Sequence, residues 1–391
     1  MLNLGWVDFS KSDRDMVLSV LRQLTEPGAV DELGIGTIRD GFSDILFPGT
    51  STIQTRAKYL FIIPYTCMEL ERGAMLQPRE FISLLERNEL DLIDILAVDG
   101  AEGVIGQRSR QTLRRKPSAI YWSALRTFGF LSEPVSLSEY SALLYARRHA
   151  SEHQKSSGKR KTRYEEDTTD DFDTGMKGAS FWRVPMPSGN WREDLTINLQ
   201  KNEAVFLRDK ILSMPGTRDS LFALILREKR LDFVRYERFE DLDSLSNIMS
   251  PCQRSDYQLA KAFSRFIYGA QVRYNVIFSK GANEAANEEW RRYIEEKPTV
   301  SLTDIQSRLK PRSSVMVFLK RFQAALGDER ELDKLIIRRE KELKGPARAK
   351  LTNTELYKYS DNSVNMDALS YRFSNVQRIV QDIFEGVESD A

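Results

Sequence analysis

The chain has 391 residues, a length for two domains at roughly 150 residues each, and its 41% hydrophobic and 29% charged content excludes a fully disordered chain. Lys+Arg 58 against Asp+Glu 57 leaves a net charge of +1, so no global field draws it to nucleic acid or acidic lipid and any such preference is local. Two cysteines, Cys67 and Cys252, exclude a disulfide scaffold and a four-cysteine zinc site; with no signal-peptide pattern over 1–15, a cytoplasmic location is expected.

Taken in chain order, the pattern is mainly α, an irregular multi-helix architecture with a few short strands. Ser12 caps a predicted helix to about Leu24, stopped by Pro27-Gly28. Thr50 or Ser51 is read as the cap of the next, with Ile53, Ala57, Leu60 and Phe61 at helical spacing and Pro64 expected to kink or end it. Pro78 and Pro117 suit first helical positions, Gly129 a stop, and Ser136-x-x-Glu139 a capping box. The most apolar run, 59–65, is far short of the about 20 residues of a spanning helix. From His149 to Thr174 aliphatic residues nearly vanish, and Lys155-Ser-Ser-Gly-Lys-Arg-Lys161 is followed by Glu165-Glu-Asp167 and Asp170-Asp-Phe-Asp173. The expected organisation is therefore an N-terminal helical domain (1–153), a charged mobile linker (154–175) and a C-terminal helical domain (176–391). Within the last, helices are expected at about 203–214, from 255, and at 284–295, 302–309, 315–326, 331–343 and 371–384. Short strands are expected at 195–199 and 231–236.

Few residues carry recognisable chemistry. Gly34-Ile-Gly36 lacks the third glycine of a dinucleotide fingerprint, no P-loop occurs, and Asp171-Phe-Asp173-Thr-Gly175 lacks the closing ligands of a calcium loop. No cofactor is expected. The two histidines spell His149-x-x-Glu152-His153. Imidazoles four apart share a helix face and can hold one zinc while Glu152 activates water, with Glu165 or Glu166 as a third ligand. The flanking Arg147, Arg148, Gln154 and Lys155 favour a solvated helix end, so zinc hydrolysis stands as the alternative. Thr50, Ser51 and Thr52 at a helix start, with Arg56 a turn later, make a candidate anion seat; an ordinary cap, with Arg56 paired to Asp40 or Asp44, is the competing reading.

Local charge is more informative. Between Ala101 and Arg163 there are thirteen Lys/Arg against four acids, a net of +9. Arg108, Arg110, Arg114, Arg115 and Lys116 run into the Pro117 helix, which carries Arg126; Lys159, Arg160 and Lys161 follow later. Such side chains clamp phosphates, or form a solvated face; Tyr121 and Trp122 are assigned to the core rather than to base stacking. A second candidate is helix-turn-helix spacing across 301–326, where Ser301 caps a short helix, Lys310-Pro-Arg312 turns, and the next helix shows Lys320 and Arg321.

The opening Gly5-Trp-Val-Asp-Phe-Ser10, the stretch Gly34-Ile-Gly-Thr-Ile-Arg39-Asp40, the motif Leu46-Phe-Pro-Gly-Thr-Ser-Thr-Ile-Gln-Thr-Arg56-Ala-Lys-Tyr59, Pro117-Ser-Ala-Ile-Tyr-Trp122 and Phe181-Trp182 resemble a bacterial domain-of-unknown-function family over nearly the whole chain. The resemblance implies genes that lie beside helicase and phospholipase-D-like nuclease genes in phage-defence islands. The resemblance implies, by association, an accessory subunit of a DNA-processing complex with DNA and helicase or nuclease partner proteins. The expected function is non-catalytic nucleic-acid binding or scaffolding; a zinc-dependent hydrolase and a pure protein–protein adaptor are the alternatives. On the domain reading, limited proteolysis cuts first between Lys155 and Arg163. Protection of that stretch with earlier cleavage elsewhere would refute the boundary.

Overall fold

Helix starts follow local chemistry. In a computed structural model, which describes residues 31–98, 101–158, 180–359 and 366–389, Pro78 opens α3 (Pro78–Leu96) with a Gln77/Glu80 capping box, and Pro117 opens α4 (Pro117–Thr127). Each places a residue without an N–H where that N–H has no helical partner. Upstream lie α1 (Gly36–Leu46) and α2 (Tyr59–Arg72). The Ser136/Glu139 box starts α5 (Leu137–Gly158): Ser136 N donates to Glu139 at 2.7 Å and Glu139 N to Ser136 Oγ at 3.2 Å. Downstream come α6 (Lys201–Ser213), α7 (Leu221–Arg227), α8 (Pro251–Phe278), α9 (Glu284–Glu296), α10 (Leu302–Leu309), α11 (Ser313–Ala324), α12 (Glu329–Lys344) and α13 (Phe373–Glu388). The protein is mainly helical. No described helix is long and apolar enough to cross a membrane. The expected helix at 12–24 lies outside the described residues.

Three local expectations are corrected. The helix expected to start at Thr50 starts at Tyr59, and Pro64 sits inside it without ending it. The 231–236 strand is a 3-10 helix, Leu231–Arg235. The 195–199 strand has alternating burial, with Leu195, Ile197 and Leu199 inside and Thr196 and Asn198 exposed, but pairs with no strand. Among the described residues, the isolated bridge between Leu131 and Trp182 is the only β pairing.

The described chain forms two units, each discontinuous in sequence. One contains residues up to Phe42 together with Gln258–Leu369; the other contains Ser43–Tyr257 and the stretch from Ser370 onward. Phe181 and Trp182, beyond the charged segment, share the second unit with Trp122 and Tyr140, before it. Trp182 lies edge-on to Trp122 at 5.8 Å and to Tyr140 at 5.5 Å. The segment 159–179 itself lies outside the described residues.

In the first unit, Phe42 packs on Phe263 and Phe266 on Phe322, and Tyr293 donates to Phe266 O at 2.8 Å. Gly269 faces the Tyr293 ring so closely that a Cβ there would lie 2.1 Å from it. Arg339 is buried, donating to Leu33 O at 2.9 Å with its guanidinium over Phe318.

The second unit has an aromatic core of Phe61, Phe130, Phe206, Phe128 and Phe222, across which lie two buried ion pairs. Arg56 meets Asp382 of α13 at 2.8 Å, with side chains 8% and 1% exposed. Lys58 meets Glu203 of α6 at 2.7 Å, at 4% and 1%. Helices α6 and α13 pack tightly because Gly386 has no side chain; a Cβ there would fall 2.7 Å from Ala204 Cβ.

Removing one member of a buried pair leaves the other charged and unsolvated, at a cost of about 3–5 kcal/mol. Asp382→Ala should therefore lower unfolding free energy by that order in urea titration. A loss under about 1 kcal/mol would show that solvent reaches Arg56.

Candidate nucleic-acid interface

The basic run is carried on a loop that α3 and α4 hold between them. The buried Ile105 donates its N–H to Tyr59 Oη at 2.8 Å. Gly106, at φ +84°, lies so close to Ile93 that a Cβ would sit 2.7 Å from its side chain, so the loop presses on α3 where only glycine fits. Arg110 pairs with Asp94 of α3 and begins a short 3-10 turn, Arg110–Thr112. Lys116 folds its ammonium back onto Leu113 O. At the first turn of α4, Glu89 of α3 accepts from Ser118 N at 2.6 Å and Ser118 Oγ at 2.9 Å. The Glu89 carboxyl thus caps a neighbouring helix N-terminus, accepting from an N–H that has no partner within its own helix.

Outside this scaffold, Arg108, Arg110, Arg114, Arg115 and Arg126 are exposed and Lys116 is half-buried. The aromatics face inward as expected. The Tyr121 hydroxyl accepts from Thr55 N at 2.8 Å and Arg56 N at 3.1 Å and donates to Arg56 O at 2.8 Å; Trp122 Nε1 donates to Val135 O at 2.9 Å. The exposed part is therefore cationic and does not include these two rings.

Part of the local charge is already engaged. Arg147 pairs with Glu133 at 2.6 Å and covers the Phe181 ring at 3.9 Å. Arg148 donates to Gly73 O at 2.7 Å and Ala74 O at 3.2 Å. Lys159, Arg160 and Lys161 lie outside the described residues. Thr50 Oγ1 donates to Phe47 O at 2.6 Å, Ser51 N donates to Gln54 Oε1 at 3.1 Å, and Thr52 O accepts from Asn375. Arg56, besides Asp382, donates to Glu102 O at 3.0 Å and Asn198 Oδ1 at 2.7 Å. These four residues belong to the internal wiring of a loop, not to a helix start, and Asp44 pairs instead with Arg372 at 2.7 Å.

His149 and His153 are exposed on α5 with Nε2 atoms 3.3 Å apart. No group of three His, Cys, Asp or Glu able to hold a metal occurs among the described residues. In the other unit the expected helix-turn-helix spacing is present. Ser301 Oγ accepts from Asp304 N at 3.2 Å, Lys310 ends α10 in the left-handed region at φ +49°, and α11 follows with Lys320 and Arg321 exposed. On α12, Lys334 and Arg338 are paired to Glu331 and Glu342 of the same helix.

A model for a family of unknown function, DUF6361, matches residues 1–328. The chain belongs to that family. No curated protein and no solved structure matches it. The matched span contains the basic loop, the histidine pair and α10–α11. It stops before α13, which supplies the Arg56 partner.

Glu89, Glu203 and Asp382 were missed as organising residues. Two of them leave a trace in the sequence. Glu89 falls in the series Phe81, Leu85, Ile93 at four-residue spacing, and Asp382 falls between Ile379 and Gly386 on the buried face of α13. A carboxylate on an apolar stripe signals a buried cap or ion pair.

Burial pushes Glu89 from its ordinary 4.5 up to about 8, against the pull of the Ser118 hydrogen bonds. A carboxyl whose folded pKa is raised holds its proton in the folded state and loses it in the unfolded one, so stability is full below about pH 4.5 and falls as pH rises to about 8. Asp382, raised to about 6 by burial, adds to the lower part of that window only. Glu89→Gln should abolish the decline between pH 6 and 8 in urea midpoints; an unchanged decline would assign it to another group.

Proposed function

We propose that the chain is a non-catalytic, cytoplasmic nucleic-acid-binding or scaffolding subunit of a bacterial DNA-processing complex acting in anti-phage defence. The observation that carries the reading is the set of arginines, Arg108, Arg110, Arg114 and Arg115, exposed on a loop that buried groups hold in place: Ile105 on Tyr59, Gly106 on Ile93, and Glu89 at Ser118. A preorganised cationic loop loses little entropy on meeting a phosphate backbone. Its contacts are to phosphate and not to base edges, so binding is indifferent to sequence. The helicase and nuclease partners rest on the resemblance noted above, and the helix pair α10–α11 supplies a second surface of the size used in major grooves.

The reading is tested by fluorescence anisotropy on duplex and single-stranded DNA across a salt series. Replacing Arg108, Arg114 and Arg115 together with alanine should flatten the log–log salt slope by about two to three and weaken all sequences alike, with the melting temperature read beside it to tell a folding loss from lost contacts. Lys116→Ala should change the slope little, because its ammonium is turned onto Leu113 O. Equal binding by the triple variant and wild type at every salt would reduce the loop to a solvated surface, and no DNA affinity at low salt would favour a protein–protein adaptor.

A further inference from the structure

The histidine pair fits none of the roles above, and its geometry is specific. Helix α5 continues unbroken through both residues to Gly158. Their rings meet at 4.4 Å between centroids, and the approaching atoms are both Nε2, at 3.3 Å. Two nitrogens bound to one zinc at about 2.0–2.1 Å with a tetrahedral angle lie about 3.3–3.4 Å apart, a spacing the pair meets without moving. Two of the neighbouring cations that by sequence argued against a metal have partners of their own: Arg147 meets Glu133 and the Phe181 ring, and Arg148 the Gly73 and Ala74 carbonyls.

We propose that His149 and His153 form a surface site for a single borderline divalent transition ion, zinc above all. The softness of imidazole suits Zn2+ and not Mg2+ or Ca2+. The same 3.3 Å separation accommodates an N–H···N hydrogen bond between the rings. Metal replaces it without net loss of a proton, because the donor imidazole carries its hydrogen on Nδ1 once Nε2 binds the ion. Two protein ligands give an exchangeable ion of micromolar affinity. Glu152 is exposed beside the pair, and among the described residues no third His, Cys, Asp or Glu joins them; Glu165 and Glu166 lie outside the described residues. Bridging residues four apart, the ion staples the fourth turn of α5, so occupancy stabilises that end of the helix.

The test uses the full chain with any purification tag removed, titrated with Zn2+ by calorimetry and with Co2+ by visible absorption. One equivalent of Zn2+ should bind with micromolar affinity, and Co2+ should show the intense bands of tetrahedral coordination. His149→Ala and His153→Ala should each weaken Zn2+ binding at least about tenfold, while Glu152→Gln leaves it unchanged. All three side chains are exposed, and the melting temperature of each metal-free variant is read beside wild type to tell a folding loss from a lost ligand. Wild-type affinity in both histidine variants, no saturable binding at millimolar Zn2+, or an octahedral Co2+ spectrum would each overturn the proposal. None of these results bears on the salt slope of DNA binding.

Discussion

Two cations buried two residues apart in sequence, Arg56 and Lys58, set the construction of the larger unit. Each enters a dry aromatic core only because a carboxylate is waiting: Asp382 for Arg56 and Glu203 for Lys58. Burying such charges costs more than Coulomb attraction returns. Burial holds the Asp382 carboxyl above its ordinary value in spite of the adjoining guanidinium. What the pairs supply is discrimination. An alternative docking of α6 or α13 against the segment before α2 would strand a charge. The segment 50–58 thus has one arrangement, further held by Tyr121 Oη on two backbone N–H groups and by Asn375 on the Thr52 and Gln54 carbonyls.

The basic loop inherits that order. Arg56 donates to Glu102 O and Thr55 Oγ1 to Gly103 O at 2.6 Å, so the same residue that closes the core holds the loop's entrance. Glu89 holds its exit at Ser118. The arginines between are displayed by a frame whose ends are buried, and Arg110 ties the middle of the loop to Asp94 of α3. That separation of frame from display is the arrangement expected of a binding surface on a rigid support.

Much of the helical architecture was legible in the sequence because its signals were local. Proline at first positions, the Ser136/Glu139 box and the Ser301 cap each act within one turn, and each appears where expected. The misreadings share a different cause, tertiary partners that replace local ones. The residues at 53–57 have helical spacing, yet their backbone groups are taken by Tyr121 and Asn375, so the helix waits until Tyr59. The alternation at 195–199 reflects burial of every second residue, with Asn198 held by Arg56 and Leu199 against Gly386, and no sheet. Helix α1 was overlooked for its two glycines, although Ile38, Phe42 and Leu46 recur every four residues and are all buried. Of the candidate site, the exposed arginines and buried aromatics were readable from charge and helical period. The capping role of Glu89 and the recruitment of Arg56 into the core were not, because their partners lie 29 and 326 residues away. Units discontinuous in sequence are equally invisible to a reading of composition along the chain.

The central claim is that one preorganised loop meets the nucleic-acid backbone. Hydrogen–deuterium exchange of the full chain with and without DNA at low salt addresses it directly, because it reports location as well as binding. The account predicts protection over 108–116 and around Arg126, with the buried amides of α2 and α13 unchanged. Protection confined to α10–α12, or none anywhere at saturating DNA, would contradict it.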